Sequence, residues 1–306
     1  MISAVSLRYF GEVVRAGSIR AASERMYVAA SAISRQIALL EDPPGPPLLE
    51  RGRGRAALRL TAAGELMLRF VRHSEHELDR VKSEIEALKG LRKGHIRLGI
   101  PETFVREGMP QMLQRFNERH PGVTYQVEVA GTPRLVELVG RDELDVAVTF
   151  NPPPALQVKH VFEHDLATCV LVADGHPLAR RAHLKLSDCA DYGVALPDET
   201  ISAKQVYDEM FARARIRPRE VLVTNSYELL RSVAATGMAI TIVNARPGDR
   251  PDMAGFRYVP IKDSRVKPQR MCICTFAGRN PSPIAAVFIE QLKREFEREF
   301  EHLDHP

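Results

Sequence analysis

The chain has 306 residues, more than one typical hydrophobic core accommodates, so two or three domains are expected. It is 44% hydrophobic and 27% charged, as in an ordinary globular protein, and the absence of tryptophan argues against broad base-stacking platforms. No apolar run is long enough to span a membrane, and the opening MISAVSLRYFGEVV lacks the features of a signal peptide. We therefore expect a cytoplasmic protein.

The positive charge is concentrated in the first third of the chain. Residues 1–94 contain 16 lysines and arginines against 11 acidic residues, whereas the remaining residues contain 27 against 28. A basic N-terminal part joined to a nearly neutral remainder favours a polyanionic partner at the N-terminus. A solvated basic face would give the same count.

The cysteine and histidine pattern predicts neither a disulfide scaffold nor a metal site. The four cysteines are Cys169, Cys189, Cys272 and Cys274. Cys272 and Cys274 lie in QRMCICTFAG, which alternates like a strand, so both are expected on one face as small core residues. His73 and His76 are interpreted as exposed helix residues. No cofactor and no metal are predicted.

Three short helices are predicted at the N-terminus. Phe10 and Val13 recur at helical spacing in SLRYFGEVVRAGS, and Gly17 ends this first helix. Ser18 can cap a second helix, SIRAASERM, and a third follows in AASAISRQIALLE with Ile33 on its apolar face. Helices joined by such tight turns form a helix-turn-helix unit, whose third helix enters the DNA major groove.

The string LRYFGEVVRAGSIRAASERMYVAASAISRQIALLE, followed by PLLER and LTAAGE, resembles the LysR-type transcriptional regulator family. Order and spacing match over residues 6–51 without a gap. The resemblance implies an α plus α/β fold with a winged helix-turn-helix, a long linker helix and a two-lobed, periplasmic-binding-protein-like effector domain. It implies a DNA-binding regulator controlled by a small molecule.

Family position also identifies the residues expected to contact DNA. Residues 18–37 match the turn and recognition segment, and arginine at position 35 can bind guanine or clamp phosphate. An ion pair with Glu41 is the alternative for this arginine. The opening Ala29-Ala30-Ser31 departs from the usual Ser-Gln-Pro, so the target sequence stays open. The expected DNA-binding residues are Ser18, Ala30, Ser31, Ser34, Arg35, Arg51, Arg53 and Arg55.

Residues 41–61, EDPPGPPLLERGRGRAALRLT, occupy the place of the family's wing. Pro43 is expected to end the third helix at Glu41 because proline lacks an N–H and disfavours helical geometry before it. Leu48 and Leu49 are expected to anchor the turn in the core. The arginines of the strip would lie at phosphates or in a minor groove, with glycines permitting close approach. The wing is about two residues longer than is usual in the family, and its effect on DNA binding stays open.

A long helix is predicted after Thr61, which is a good N-cap. About thirty residues would make it roughly 45 Å long. Its apolar positions alternate by four and three like a coiled-coil seam: Met67, Val71, Ser74, Leu78, Val81, Ile85 and Leu88. In the family, the partner is the same helix of another subunit, giving a homodimer or homotetramer; packing within the chain is the alternative. Expected boundaries are 1–60, 61–94 and 95–306.

The remainder alternates strands and helices. HIRLGIP, VTYQVEV and DVAVTF are predicted strands separated by helices, which favours a parallel sheet with helices on both faces. A second such unit follows, and the chain then returns, which predicts two lobes: about 95–162 with 269–306, and about 163–268. GHPLARR and VAATGMAITIV match hallmarks of the family's effector domain. A glutamate in the first pocket loop and FNPPP after the third strand resemble a branch of uncharacterised members.

Ligands in such folds lie at strand C-termini between the lobes. The expected effector-binding residues are Glu102, Thr103, Thr132, Phe150, Asn151, Ser202, Asn225 and Ser226. A role as simple helix caps is the alternative for Ser202 and Ser226. Pro101 removes a backbone donor from the first loop. A carboxylate at Glu102 would oppose anionic ligands, which leads to the hypothesis of a neutral or cationic effector.

The expected partners are double-stranded DNA with an interrupted palindrome in a promoter region, a small-molecule effector, a second copy of the chain and RNA polymerase. We do not expect an enzyme, because the sequence has no Gly-rich phosphate loop, no G-x-S-x-G elbow and no nucleophile with a base at motif spacing. A small-molecule-binding or interaction protein with a degenerate DNA-binding head is the alternative. This alternative is motivated by Ala29, Ala30 and the prolines within residues 43–47.

Overall fold

The computed structural model describes residues 3–41, 45–50, 58–87, 93–106, 108–201, 203–244 and 255–304. The chain divides into two compact units, Met1–Lys82 and Ser83–Pro306, and each has its own hydrophobic core. None of the helices in these ranges combines the length and the apolar character needed to cross a membrane.

The N-terminal unit is a winged helix-turn-helix followed by a long helix. Its elements are α1 (Ala4–Ala16), α2 (Ile19–Met26), α3 (Ala30–Glu41), β1 (Leu49–Glu50), β2 (Arg59–Leu60) and α4 (Ala62–Ala87). Gly17 ends α1 with a φ of 73°, in the left-handed region that favours glycine. The helix α3 ends at Glu41, as predicted. Strands β1 and β2 pair antiparallel at the base of the wing.

The core of this unit ties the wing to α4. Phe10 and Ile33 are fully buried at its centre, and Leu48, just before β1, is 4% exposed, as predicted for the wing anchor. The Thr61 hydroxyl accepts a hydrogen bond from Gly64 N at 3.0 Å and donates to Pro47 O at 2.6 Å, so it caps α4 as predicted. A β-carbon at Gly64 would lie 2.0 Å from the Leu48 carbonyl oxygen, so only glycine fits where α4 crosses the strand.

The apolar face of α4 agrees with the predicted seam at Leu78, Val81 and Ile85 but differs from it in the first turns, and Leu88 lies outside the described residues. Val71 is 2% exposed and Met67 half-buried, because both pack on the core of the N-terminal unit. The exposed apolar stripe of α4 is formed by Leu66, Phe70, Leu78, Val81 and Ile85. The sequence pattern alone could not separate the apolar residues of α4 that pack within the unit from those that stay exposed. Packing within the unit and packing on a second helix require the same helical spacing.

The C-terminal unit contains two sheets with helices around them. Its strands are β3 (Gly94–Ile100), β4 (Val123–Val129), β5 (Val146–Phe150), β6 (Val158–Leu166), β7 (Thr168–Ala173), β8 (Gly193–Pro197), β9 (Arg219–Thr224), β10 (Ile240–Asn244), β11 (Phe256–Pro260) and β12 (Gln269–Phe276). Its helices are α5 (Met109–Arg119), α6 (Thr132–Gly140), α7 (Ala203–Ala214), α8 (Tyr227–Ala235) and α9 (Pro283–Asp304). A short 3₁₀ helix, Glu102–Phe104, follows β3.

The two sheets are mixed rather than parallel. The first has the order β4-β3-β5-β12-β6 and the second β11-β7-β10-β8-β9. Strands β3, β4 and β5 are parallel, as predicted from their β-α-β-α-β order, and β12 adds to this sheet antiparallel to β5. A strand that returns from the other lobe is not bound by the right-handed crossover that makes consecutive β-α-β strands parallel. The sequence does not predict strand β6, because its residues are mostly polar and half-buried and show no clean alternation.

The chain crosses between the lobes at two adjacent places. Strand β6 ends in the first sheet at Leu166, and β7 begins in the second at Thr168. On the return, Ile261 N donates to Thr168 O at 2.9 Å, and Gln269 pairs with Leu166 in the first sheet. The two crossings are therefore hydrogen-bonded to each other.

Strand β12 also carries two of the four cysteines. Cys272 and Cys274 are fully buried, and the Thr149 hydroxyl lies 3.2 Å from Cys274 Sγ. Burial raises the pKa of the Cys272 thiol to about 12. The prediction that both cysteines are small core residues is confirmed.

The lobes touch at the loop after β4. The backbone of Gly131 in the first lobe lies against Thr200 in the second, and a β-carbon at Gly131 would be 2.5 Å from the Thr200 carbonyl oxygen. The φ of Gly131 is −69°, which any residue adopts. Glycine is therefore required here by space between the lobes and not by backbone conformation.

Gly131→Ala is expected to lower the melting temperature by about 3 °C, because its methyl group must displace the Thr200 carbonyl. Gly175→Ala is the matched control, since a β-carbon at Gly175 meets no atom within 4 Å. Differential scanning calorimetry measures both. Equal melting temperatures for the two variants would contradict the tight inter-lobe contact.

Candidate functional sites

One face of α3 is free to contact a partner. Ile33, Ile37 and Leu40 are buried against the core, and the opposite face exposes its side chains to solvent. The exposed predicted DNA-binding residues on this face are Ala30, Ser31, Ser34 and Arg35. Within the described ranges Arg35 makes neither a hydrogen bond nor an ion pair. The alternative partner Glu41 accepts instead from Leu48 N at 2.9 Å.

Short polar contacts hold α3 in place. The Ser18 hydroxyl accepts from Ala21 N at 3.1 Å and so caps α2. The Ser6 hydroxyl donates to Gln36 Oε1 at 2.6 Å, which ties α1 to α3. In the turn before α3, Tyr27 has a φ of 56° and is 95% exposed. Sequence reasoning missed this exposed aromatic. The three wing arginines, Arg51, Arg53 and Arg55, lie outside the described residues.

A cleft of about 720 Å³ separates the two lobes of the C-terminal unit. The carboxyl ends of β3, β4 and β5 meet on one side, and those of β8 and β9 meet on the other. Because β12 is antiparallel to β5, its first residue lies at the same edge. The lining residues are Pro101, Glu102, Val129, Ala130, Gly131, Thr132, Pro133, Arg134, Phe150, Glu199, Thr200, Ile201, Ala203, Asn225, Ser226, Tyr227 and Gln269.

Five of the eight predicted effector residues line this cleft. They are Glu102, Thr132, Phe150, Asn225 and Ser226. The Thr132 hydroxyl is buried and accepts from Phe150 N at 3.0 Å, so it joins the start of α6 to the end of β5. Asn225 is exposed at the end of β9. Ser226 caps α8 by accepting from Leu229 N at 3.2 Å.

Three predicted effector residues are not placed in the cleft. Thr103 lies in a narrow crevice beside Tyr227, and its hydroxyl has no hydrogen-bond partner among the described residues. Asn151 has a φ of 45°, and its side chain is hydrogen-bonded to β12. Its Nδ2 donates to Gln269 Oε1 at 3.2 Å, and its Oδ1 accepts from Arg270 N at 2.8 Å. Ser202 lies outside the described residues.

The carboxylate of Glu102 is already engaged. It accepts hydrogen bonds from the Ser226 hydroxyl at 2.8 Å and from Tyr227 N at 2.6 Å, both in the opposite lobe. A carboxylate at a helix N-terminus is stabilised by free N–H groups and by the helix dipole. Repulsion of anions by an uncompensated Glu102, the basis of the cationic-effector hypothesis, therefore no longer follows.

Gln269 is the main cleft residue that sequence reasoning missed. It is fully buried at the start of β12, and its Nε2 has no hydrogen-bond partner in the described part of the chain. A polar residue that opens an apolar strand is a usable signal. Its position could not be predicted because the sequence does not show the direction of β12 relative to β5, and that direction decides which edge of the sheet the first residue occupies.

The charged residues of the cleft are largely compensated. Arg134 donates to Glu137 Oε2 at 2.8 Å, and this hydrogen bond holds the pKa of the Glu137 carboxyl below its usual range. Glu199 is an exposed carboxylate at the other wall. Apolar side chains of Val129, Phe150 and Ile201 form much of the remaining surface. The cleft therefore suits a small organic molecule held by a few polar contacts.

Two family profiles together match most of the chain. "Bacterial regulatory helix-turn-helix protein, lysR family" matches residues 5–65, and "LysR substrate binding domain" matches residues 89–297. Among curated relatives, the transcriptional activator protein LysR of Escherichia coli strain K12 is 29% identical over 248 residues, covering 79% of this chain and 78% of the relative. The uncharacterized regulator YybE of Bacillus subtilis strain 168 is 27% identical, covering 92% and 95% of the two chains.

Solved structures match the same architecture. Full-length CbnR in complex with its target DNA has a TM-score of 0.64 and 25% identity, covering 95% of this chain and 99% of that one. A full-length OxyR variant from Pseudomonas aeruginosa has a TM-score of 0.73 and 20% identity, covering 97% and 95%. With its helix-turn-helix, its two-lobed α/β unit and both family profiles matched, this chain belongs to the LysR family of transcriptional regulators.

Proposed function

We propose that this regulator binds promoter DNA through the exposed face of α3 and is controlled by a small molecule in the inter-lobe cleft. The observation that carries the DNA-binding part is the exposed arginine at position 35, beside exposed small residues on the face opposite the core. Small residues let a helix approach base edges closely, and arginine supplies the guanine or phosphate contact.

We infer that two copies bind an interrupted palindrome. A two-fold dimer presents two recognition helices to two half-sites, so the symmetry of the DNA follows that of the protein. The target-DNA complex of the similar CbnR supports DNA as the partner, and the activator name of the Escherichia coli relative supports a contact with RNA polymerase. A protein acting on chromosomal promoters works in the cytoplasm, and the two relatives named above, both transcriptional regulators, support a non-catalytic role.

The proposed function assigns a separate role to each part of the chain. We assign DNA binding to residues 1–60, dimerisation to the linker within 61–94, and effector binding to 95–306. Effector contacts are assigned to Glu102, Thr132, Phe150, Asn225 and Ser226 together with Gln269, since these line the cleft. The wing arginines at 51, 53 and 55 are assigned to the DNA backbone.

A fluorescence-anisotropy titration against the chain's own upstream intergenic DNA tests the proposal. Binding should weaken steeply with salt, because contacts to phosphates release counterions. Absence of binding at low salt would instead favour a small-molecule-binding protein with a degenerate DNA-binding head.

Arg35→Ala is expected to weaken binding to the preferred operator by about 10- to 100-fold and to weaken non-specific binding much less, because a base contact is lost. Arg8→Ala, an exposed arginine on α1, is the control and should leave the ratio of specific to non-specific affinity unchanged. The ratio is measured by competition titration. An unchanged ratio in Arg35→Ala would count against base readout by this residue.

Arg53→Ala is expected to lower affinity about equally for all sequences, because the wing arginines are assigned to phosphates. The slope of log affinity against log salt should become shallower by about one. Titrations at four or more salt concentrations measure this slope. A slope equal to that of the wild-type protein would argue against the wing assignment.

Val81→Asp is expected to convert the oligomer to monomers, because it places a charge in the centre of the exposed apolar stripe of α4. Asp79→Ala is the matched control, as Asp79 lies on the opposite face and pairs with Lys82 at 3.1 Å. Sedimentation equilibrium gives the mass of each variant. An unchanged mass for Val81→Asp would move the dimer interface away from this stripe.

A further inference from the structure

Glu102 reaches from one lobe to the other. It opens the short 3₁₀ helix after β3, in the first lobe, and both of its carboxylate oxygens accept hydrogen bonds from the start of α8 in the second lobe. The two distances, 2.8 Å from Ser226 Oγ and 2.6 Å from Tyr227 N, are typical of charge-assisted hydrogen bonds. The carboxylate thus satisfies an N–H group that α8 itself cannot pair.

The residues around Glu102 hold it in this position. Pro101 precedes it in an extended conformation, and Phe104, 1% exposed, anchors the same short helix in the core of the first lobe. Beside it, Arg106 Nη1 lies 3.0 Å from Glu228 Oε2, which adds an ion pair between the lobes. The carboxylate is therefore presented by a rigid element and needs little reordering to reach α8.

The same hydroxyl of Ser226 makes two contacts. It accepts a hydrogen bond from Leu229 N, which caps α8, and it donates a hydrogen bond to Glu102. Removing the carboxylate would therefore expose Tyr227 N and the Ser226 hydroxyl proton together. This pair of donors at a helix N-terminus is suited to a free carboxylate.

We propose that Glu102 is a tethered anion that fills the anion-binding start of α8, joins the lobes, and so excludes free carboxylates from this part of the cleft. This inference rests on the proposed function in taking the cleft as the effector site. The cation among the described lining residues, Arg134, is paired with Glu137. The Thr200 hydroxyl donates to Asp198 Oδ1 at 2.6 Å, and Asn225 and Gln269 offer only neutral amides, so the cleft disfavours a free carboxylate.

Chemical rescue of the full-length Glu102→Ala variant tests this inference. The variant should melt about 4 °C below the wild-type protein, because charged hydrogen bonds between the lobes are lost. Sodium acetate or formate, at constant ionic strength against sodium chloride, should restore about half of that loss by binding at the vacated helix start. Acetamide, which has the same shape as acetate but no charge, should restore much less.

Three control proteins make the result specific. Wild-type protein should not respond to acetate beyond the chloride control, because its α8 start is filled. Glu102→Gln fills the same space and should also fail to respond. Glu199→Ala removes another carboxylate from the cleft wall and should neither lose this stability nor gain an acetate response.

Equal stabilisation of the wild-type protein and Glu102→Ala by acetate would overturn the inference, since the helix start would then be open in both. An unchanged melting temperature in Glu102→Ala with no acetate response would also overturn it. If Glu102→Ala does not fold, Glu102→Gln, whose amide nitrogen cannot accept from the donors of α8, should melt below the wild-type protein in its place. These readouts do not involve DNA, so failure of the operator titration would reject the proposed function without affecting this result.

Discussion

The two hydrogen-bonded chain crossings constrain everything that happens in the C-terminal unit. Because Ile261 N donates to Thr168 O and Gln269 pairs with Leu166, the lobes are joined at one edge and face each other beyond it. Strand ends from both sheets consequently line one cleft. The antiparallel direction of β12 follows from the second crossing, and it places Gln269 among those strand ends.

Away from the crossings, the lobes meet through two different kinds of contact. The contact between Gly131 and Thr200 is steric, and it depends on the absence of a side chain at Gly131. Glu102 and α8 meet through charge and hydrogen bonds, with the carboxylate compensated by the helix start. A ligand that changes the separation of the lobes has to act against both contacts, which gives the cleft a defined resting geometry.

In the N-terminal unit, one hydrophobic pattern serves two purposes. The first turns of α4 pack on the core through Leu68 and Val71, and later turns leave Val81 and Ile85 exposed. The switch occurs within one continuous helix. The first turns of α4 are thus covered by the N-terminal unit itself, whereas the later turns carry an apolar stripe suited to a second copy. The DNA-binding helices are therefore attached rigidly to the helix that is assigned to dimerisation.

The sequence by itself determined the helix-turn-helix, the cap at Thr61, the end of α3 at Glu41 and the buried cysteines, because each depends on neighbours within a few residues or on simple periodicity. It also identified five residues that line the cleft. Only the tertiary structure decided the direction of β12, the role of Gln269, the face of α4 that stays exposed and the partner of Glu102. Those outcomes depend on which distant segment packs opposite, and no local pattern records that choice. A lone glutamate after a strand reads as a repulsive charge until the helix start that neutralises it, 124 residues further along the chain, is in place.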